Sequence, residues 1–365
     1  MKKIFALLLS VLMVASLMVG CAPKEDPAES TTGTEESIPA SDGTETTEAV
    51  EATDETEETK EAVSAADTTV AVVVAGTFGD RSFYDSSKEG ADRLAQEYGV
   101  QIKTIECANV DHTQQMRNAA DVADIVVLVG WEFFDVETVA PEYPDVHFLW
   151  IDNATTAPVE NVLNITYAQN EGSFLAGYIA AKMSETGTVG AVGGEDSATI
   201  NDFITGYREG AQYANPDAKV EVRYAGTYDD PAVGKECALD LNEKGADVVF
   251  QVASKTGDGV FQAAQEKGFY AIGVDSDQKY IADDVIICSM MKRVNDSIYQ
   301  AVSEYLAGDT SRWGTTWVAD MATGYVSIGY GEEGSTQQIP DELKAEVEEL
   351  AQKIVSGEIQ VSTTR

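Results

Sequence analysis

The chain has 365 residues, of which 24 are Lys or Arg and 63 are Asp or Glu, for a net charge of −39. Nucleic-acid binders draw affinity from basic side chains that neutralise phosphates, so this balance argues against that class. It argues equally against docking to an anionic membrane through a basic face. With 44% hydrophobic residues, the length allows one or two domains with sizeable cores.

Met1–Lys3 is a short basic head, and residues 4–20 are almost wholly apolar. That order reads as a secretory signal peptide over residues 1–20. The run ends in Val19-Gly20-Cys21, which resembles the bacterial lipobox, with Met18 where Leu is usual. Cys21 is therefore the expected lipidation site, and its acyl chains would hold the protein at a membrane without a spanning helix. From Ala22 to Thr68 the chain carries 15 acidic residues, Lys24 and Lys60 as its only bases, and no aromatic. Such a segment cannot bury enough apolar surface to offset ordering entropy, so residues 21–68 are expected to form a disordered tether. As a flexible coil it would reach roughly 35–40 Å.

Residues 69–75 (TVAVVVA) form a β-branched run, as expected for a strand buried on both faces of a parallel sheet. Helical patterns over about 82–98, 113–122 and 133–142 then alternate with strand-like runs at 101–105, 124–129, 146–151 and 162–166. A long helix over about 170–184 opens a second array. Its strands are expected at 188–192, 219–224, 247–252, 270–274 and 285–289, with helices near 200–213, 231–244, 257–267 and 294–306. Two short strands (316–319 and 325–328) and an amphipathic helix (340–355) close the chain. Two successive βα arrays imply two doubly wound α/β lobes. We assign residues 69–167 and 289–312 to the first lobe, and 168–288 and 313–365 to the second.

Enzyme signatures are missing. His112 and His147 have no partners at metal-ligand spacing, and neither a Walker A motif nor a G-x-S-x-G elbow occurs. The glycines around 187–194 fail as a dinucleotide fingerprint because the first of them precedes its strand. Beyond Cys21, the three cysteines Cys107, Cys237 and Cys288 cannot form a full disulfide framework, though one bridge remains open. No metal, cofactor or catalytic residue is expected.

In doubly wound sheets, ligands bind beyond the carboxyl ends of the strands. Those ends carry Asp80 and Phe83, then Trp131, Asp152, Tyr228, Gly257, Asp275 and Lys292, with Phe203 on a following helix. Aromatic faces stack on planar rings, and carboxylates accept strong hydrogen bonds from hydroxyls. The expected ligand is therefore small, flat and hydroxyl-rich.

Seven motifs, in order, resemble those of the BMP ("basic membrane protein") family of ABC-importer substrate-binding lipoproteins, several of which are purine-nucleoside receptors. They are Gly-Asp-Arg-Ser-Phe (79–83), Glu-Gly-Ser-Phe-Leu-Ala-Gly (171–177), Val-Gly-Ala-Val-Gly-Gly (189–194), Phe-x-x-Gly-Tyr-Arg-x-Gly (203–210), Thr-Gly-Asp-Gly-Val-Phe (256–261), Gly-Val-Asp-Ser-Asp-Gln (273–278) and Ser-Met-Met-Lys-Arg (289–293). The resemblance spans residue 69 to the C-terminus. It implies a type I periplasmic-binding-protein fold whose lobes hinge near 167–169, 289 and 312–315. It further implies ABC permease and ATPase partners and a ligand held in the cleft. Phe83 would stack from the first lobe, facing Tyr228 from the second, with Phe203 in reserve. Asp275 and Lys292 would hold ribose hydroxyls, and Asp152 would meet the base edge. The chain departs from the family at Tyr84, where Asn is frequent, and at Ala75-Gly76, where an Asp is common. Two other readings remain open: a sensory receptor, and a binding protein for a sugar-type ligand.

Overall fold

The computed structural model describes residues 64–364 except residue 109. The expected signal peptide, Cys21 and most of the expected tether lie outside the described residues. The last five tether residues, 64–68, are folded instead. Ala65–Asp67 form a 3-10 turn, and the buried Thr68 donates its hydroxyl to the Ser64 carbonyl at 2.9 Å.

The first array comprises β1 (Thr69–Val74), α1 (Phe83–Tyr98), β2 (Gln101–Glu106), α2 (His112–Ala120), β3 (Ile125–Val129), the single turn α3 (Val136–Val139), β4 (His147–Ile151) and β5 (Val162–Tyr167). The second comprises α4 (Gln169–Met183), β6 (Thr188–Gly193), α5 (Ala198–Ala214), β7 (Lys219–Tyr224), α6 (Pro231–Glu243), β8 (Val248–Val252), α7 (Asp258–Lys267), β9 (Tyr270–Asp275) and β10 (Ile286–Lys292). α8 (Val294–Leu306), β11 (Thr316–Ala319), β12 (Val326–Gly329) and α9 (Asp341–Val355) complete the chain.

The strands form two six-stranded sheets, ordered β11-β5-β4-β3-β1-β2 and β12-β10-β9-β8-β6-β7. Every pairing is parallel except that of β12 with β10. Burial on both faces explains the unbroken apolar run of β1. Val70, Val72 and Val74 pack with Leu94 of α1 and Ile298 of α8, while Ala71 and Val73 pack with Met116 of α2. α1 stops at Gly99, whose φ of 79° is a left-handed conformation that glycine adopts without strain.

Within the second lobe, α4 and α5 approach until backbones touch. A Cβ on Gly210 would lie 1.8 Å from the Phe174 carbonyl oxygen, and one on Gly206 would lie 2.1 Å from that of Asn170. Only glycine permits that separation, and it explains why α4, buried on nearly every face, lacks a polar stripe.

Strand pairing places two of the three crossovers differently from the sequence expectation. The first falls between the end of β5 at Tyr167 and the start of α4 at Gln169. Ser289 is not a hinge: it lies inside β10, bonded to β9 in the second sheet, and the chain returns to the first lobe only after Lys292. β11, expected in the second lobe, pairs in parallel with β5 of the first. The third crossover is therefore the segment between Ala319 and Val326, not 312–315. The physical reason is that a four-residue edge strand carries no periodicity that says which sheet it joins.

Candidate functional site

The carboxyl ends of β1, β3 and β4 in one lobe face those of β6, β8, β9 and β10 in the other. Phe83, Trp131, Asp152, Phe203, Tyr228, Asp275 and Lys292 all line one cavity between the lobes. Non-glycine residues with left-handed backbone concentrate at this place. Among the described residues they are Arg81 (φ 54°), Asp152 (φ 77°), Ser254 (φ 50°) and Asp275 (φ 66°). Such conformations cost about 1–3 kcal/mol each and persist where a site over-determines them.

Lys292 ends β10 and is 0% exposed. Its Nζ donates to both oxygens of Asp152, at 2.5 and 2.6 Å, across the lobe boundary. The same ammonium stands 5.0 Å from the Phe83 ring centroid, 4.9 Å from that of Tyr167 and 5.3 Å from that of Phe203. Rings flanking a cation gain from its attraction to their faces.

Asp275 accepts a hydrogen bond from the Ser82 hydroxyl of the opposite lobe at 2.5 Å. Burial pushes its carboxyl up to about 6, against the lowering effect of Lys292. Three further hydrogen bonds join the lobes: Ser82 Oγ to the Val274 carbonyl at 3.4 Å, Ser254 Oγ to Asp80 at 2.7 Å, and Gln278 Nε2 to the Arg81 carbonyl at 3.0 Å. Arg81 also pairs with Asp258. The lobes are thus held closed over the cavity.

Two expected site residues lie outside the cavity lining. Asp80 is 2% exposed and turned toward the start of α1. It accepts from the backbone N–H groups of Ser82, Tyr84 and Asp85, at 3.1, 3.0 and 3.0 Å. Its role is to fix the turn that delivers Phe83. Gly257 supplies space: a Cβ there would lie 1.9 Å from Gln251 Oε1. That oxygen accepts from Ala253 N at 3.1 Å, while Gln251 Nε2 donates to Gln278 at 2.7 Å.

Sequence reasoning passed over the lining residues Glu132, Thr199 and Ile200, and it marked Tyr84 only as a departure from the family. Burial pushes the Glu132 carboxyl up to about 7, reinforced by Glu195 and Asp152. The same cause holds the Tyr84 and Tyr228 hydroxyls well above their usual range. Only its place beside Trp131 at a strand end could have singled out Glu132.

Neither histidine enters the site. His147 packs edge-on against Tyr305 and Trp313, and burial lowers its pKa. His112 packs against Phe133. Among the described residues, Cys107, Cys237 and Cys288 are free thiols, and no cluster of His, Cys, Asp and Glu is arranged to hold a metal ion.

Two doubly wound lobes enclosing a ring-walled cavity define a substrate-binding protein of the periplasmic-binding-protein architecture. The family model described as "ABC transporter substrate-binding protein PnrA-like" (Bmp) matches residues 67–365, and the chain belongs to that family. It is 33% identical over 296 residues to basic membrane protein A2 of Borrelia garinii subsp. bavariensis, covering 80% of this chain and 87% of that protein. Against basic membrane protein A of Borreliella burgdorferi the identity is 32% over 302 residues, with 81% and 88% coverage. Among solved structures, an ABC transporter solute-binding protein from Aeropyrum pernix K1 superposes with a TM-score of 0.73 at 30% identity, covering 81% of this chain and 93% of that one. A solute-binding protein from Conexibacter woesei gives 0.66 at 27% identity, covering 81% and 99%. The two solved relatives are solute-binding proteins of ABC transporter systems.

Proposed function

We propose that the chain captures a purine nucleoside outside the cytoplasm and delivers it to the permease and ATPase of an ABC importer, tethered to the membrane through acylated Cys21. The observation that carries the ligand assignment is the wall composition. Phe83 of one lobe and Phe203 of the other both face the Lys292 ammonium, with the carboxylates of Asp152 and Asp275 in the same cavity. Rings from both lobes suit the two faces of a purine, and the buried cation and acids suit ribose hydroxyls.

Capture works through lobe closure. The open form exposes two half-sites, and a ligand touching both favours the closed form by its differential affinity for the two. The interlobe bonds of Asp152, Asp275 and Asp80 close the same gap, so the ligand need supply only part of the closing energy.

A thermal-shift screen across nucleosides, nucleobases, sugars and amino acids tests the assignment. A ligand binding only the folded state adds about 4 kcal/mol of stability at a thousandfold excess over Kd. Inosine, guanosine or adenosine should raise the melting point. A rise with a sugar and none with nucleosides would refute the nucleoside assignment and leave the transport role standing.

A further inference from the structure

The cavity contains one acid with an unused hydrogen-bonding position. Glu132 follows β3 and lines the cavity, and its Oε2 is buried without a hydrogen-bond partner among the described residues. The carboxyl folds back over the strand end, and a Cβ on Gly130 would lie 2.4 Å from that oxygen. Buried polar atoms are normally satisfied, so an orphan acceptor on a cavity-lining side chain leaves a hydrogen-bonding position that a ligand donor can take once the carboxyl turns toward it.

The neighbouring wall fits that implication. A Cβ on Gly76 would lie 2.8 Å from Tyr84 Cε2 and 3.3 Å from its hydroxyl oxygen. The tyrosine ring thus fills the space that a side chain at the end of β1 would occupy. Gly76 itself carries no side chain, and Glu132, after β3, is an acid that lines the cavity.

Building on the nucleoside reading above, we propose that Glu132 is a specificity-determining residue that accepts a hydrogen bond from an N–H group of the ligand's heterocycle, with the Tyr84 ring as the wall holding the heterocycle against it. The ligand class is thereby narrowed to heterocycles with an N–H donor on the edge that points toward β3. A ring bearing only acceptors there would leave the carboxyl unpaired.

The proposal fixes the sign of a pH dependence. With its carboxyl pushed up to about 7, Glu132 gains ionised fraction across the neutral range, and the ionised form is the stronger acceptor of an N–H bond. Tyr84 of α1, Tyr228 before α6, Glu195 before α5, Asp152 after β4 and Cys107 after β2 face it; His112 of α2 stands behind Phe133. Cys107 and both tyrosines titrate well above neutrality, and Asp275, across the cavity, titrates at about 6. Asp275 shares the lower end of the window from pH 6 to 8, so the part of the pH dependence that belongs to Glu132 is the part Glu132→Gln abolishes.

The experiment is calorimetric titration of wild type and Glu132→Gln with inosine, guanosine and adenosine at pH 6, 7 and 8. Wild-type affinity for at least one should rise about tenfold from pH 6 to 8, following the ionised fraction. Glu132→Gln should bind at least tenfold more weakly at pH 8, with a flat profile. A flat or falling wild-type profile overturns the proposal without recourse to any variant, as does undiminished affinity in Glu132→Gln; both leave the nucleoside reading intact. Failure of wild type to bind any of the three overturns that reading, and this proposal with it.

Discussion

Replacing Lys292 with Met keeps the buried apolar stem and removes one charge. The partner carboxylate of Asp152, held at 2.5 and 2.6 Å, is then left in the closed cleft without its cation. Removing one member of a buried ion pair costs about 3–5 kcal/mol, mostly the penalty of the charge left behind. This pair spans the two lobes, so the protein has a way to avoid the penalty: it can open and hydrate Asp152. The cost therefore falls on the closed form, and ligand affinity should drop by that amount, about two to three and a half orders of magnitude. Calorimetric titration of Lys292→Met, Asp152→Asn and the double variant forms a mutant cycle. The double variant leaves no unpaired charge, so the two effects should fall short of additivity by about 2–3 kcal/mol. Additivity within about 0.5 kcal/mol would refute the claim that the pair clasps the lobes.

Truncating Phe83 or Phe203 to Ala should cost roughly 1–3 kcal/mol of ligand affinity each, by analogy with base-stacking aromatics, read by titration against the wild type. Asp275 gives a stability prediction. Its carboxyl lies near 6 in the folded chain, above the unfolded value near 4, so its contribution to stability is fully present below pH 4 and lost as pH rises through 6. Urea midpoints should accordingly show Asp275→Asn gaining stability on wild type between pH 4.5 and 6.5, and an unchanged difference would contradict the burial argument. Gly210→Ala drives a methyl to 1.8 Å from the Phe174 carbonyl oxygen, and forcing α4 and α5 apart should cost about 1–3 kcal/mol or more in the same denaturation assay.

Much of the fold is legible because it rests on local pattern. The valine run of β1 announces a strand covered on both faces, and Gly99 announces the end of α1. Because ligands gather at carboxyl strand ends, those ends also gave up Asp152, Asp275 and Lys292 without any view of the folded chain. Legibility fails where placement depends on distant partners. β11 belongs to the first lobe only because Thr316 pairs with Asn164, and nothing in four edge residues encodes that. Asp80 misleads for another reason: a carboxylate after a strand can serve a ligand or cap the next helix, and here the backbone N–H groups of α1 take it. Glu132 was passed over because its position depends on a carboxyl folding back over Gly130, a conformation with no sequence periodicity behind it.

The distance between spin labels at Ala157 in the first lobe and Asp196 in the second, both exposed, tests closure most directly. Cys237, half-buried and free, would first be replaced by Ser. Adding a purine nucleoside should shorten and narrow the distribution, and Lys292→Met should broaden it toward longer distances. A nucleoside that binds and leaves the distribution unchanged would contradict capture by closing lobes.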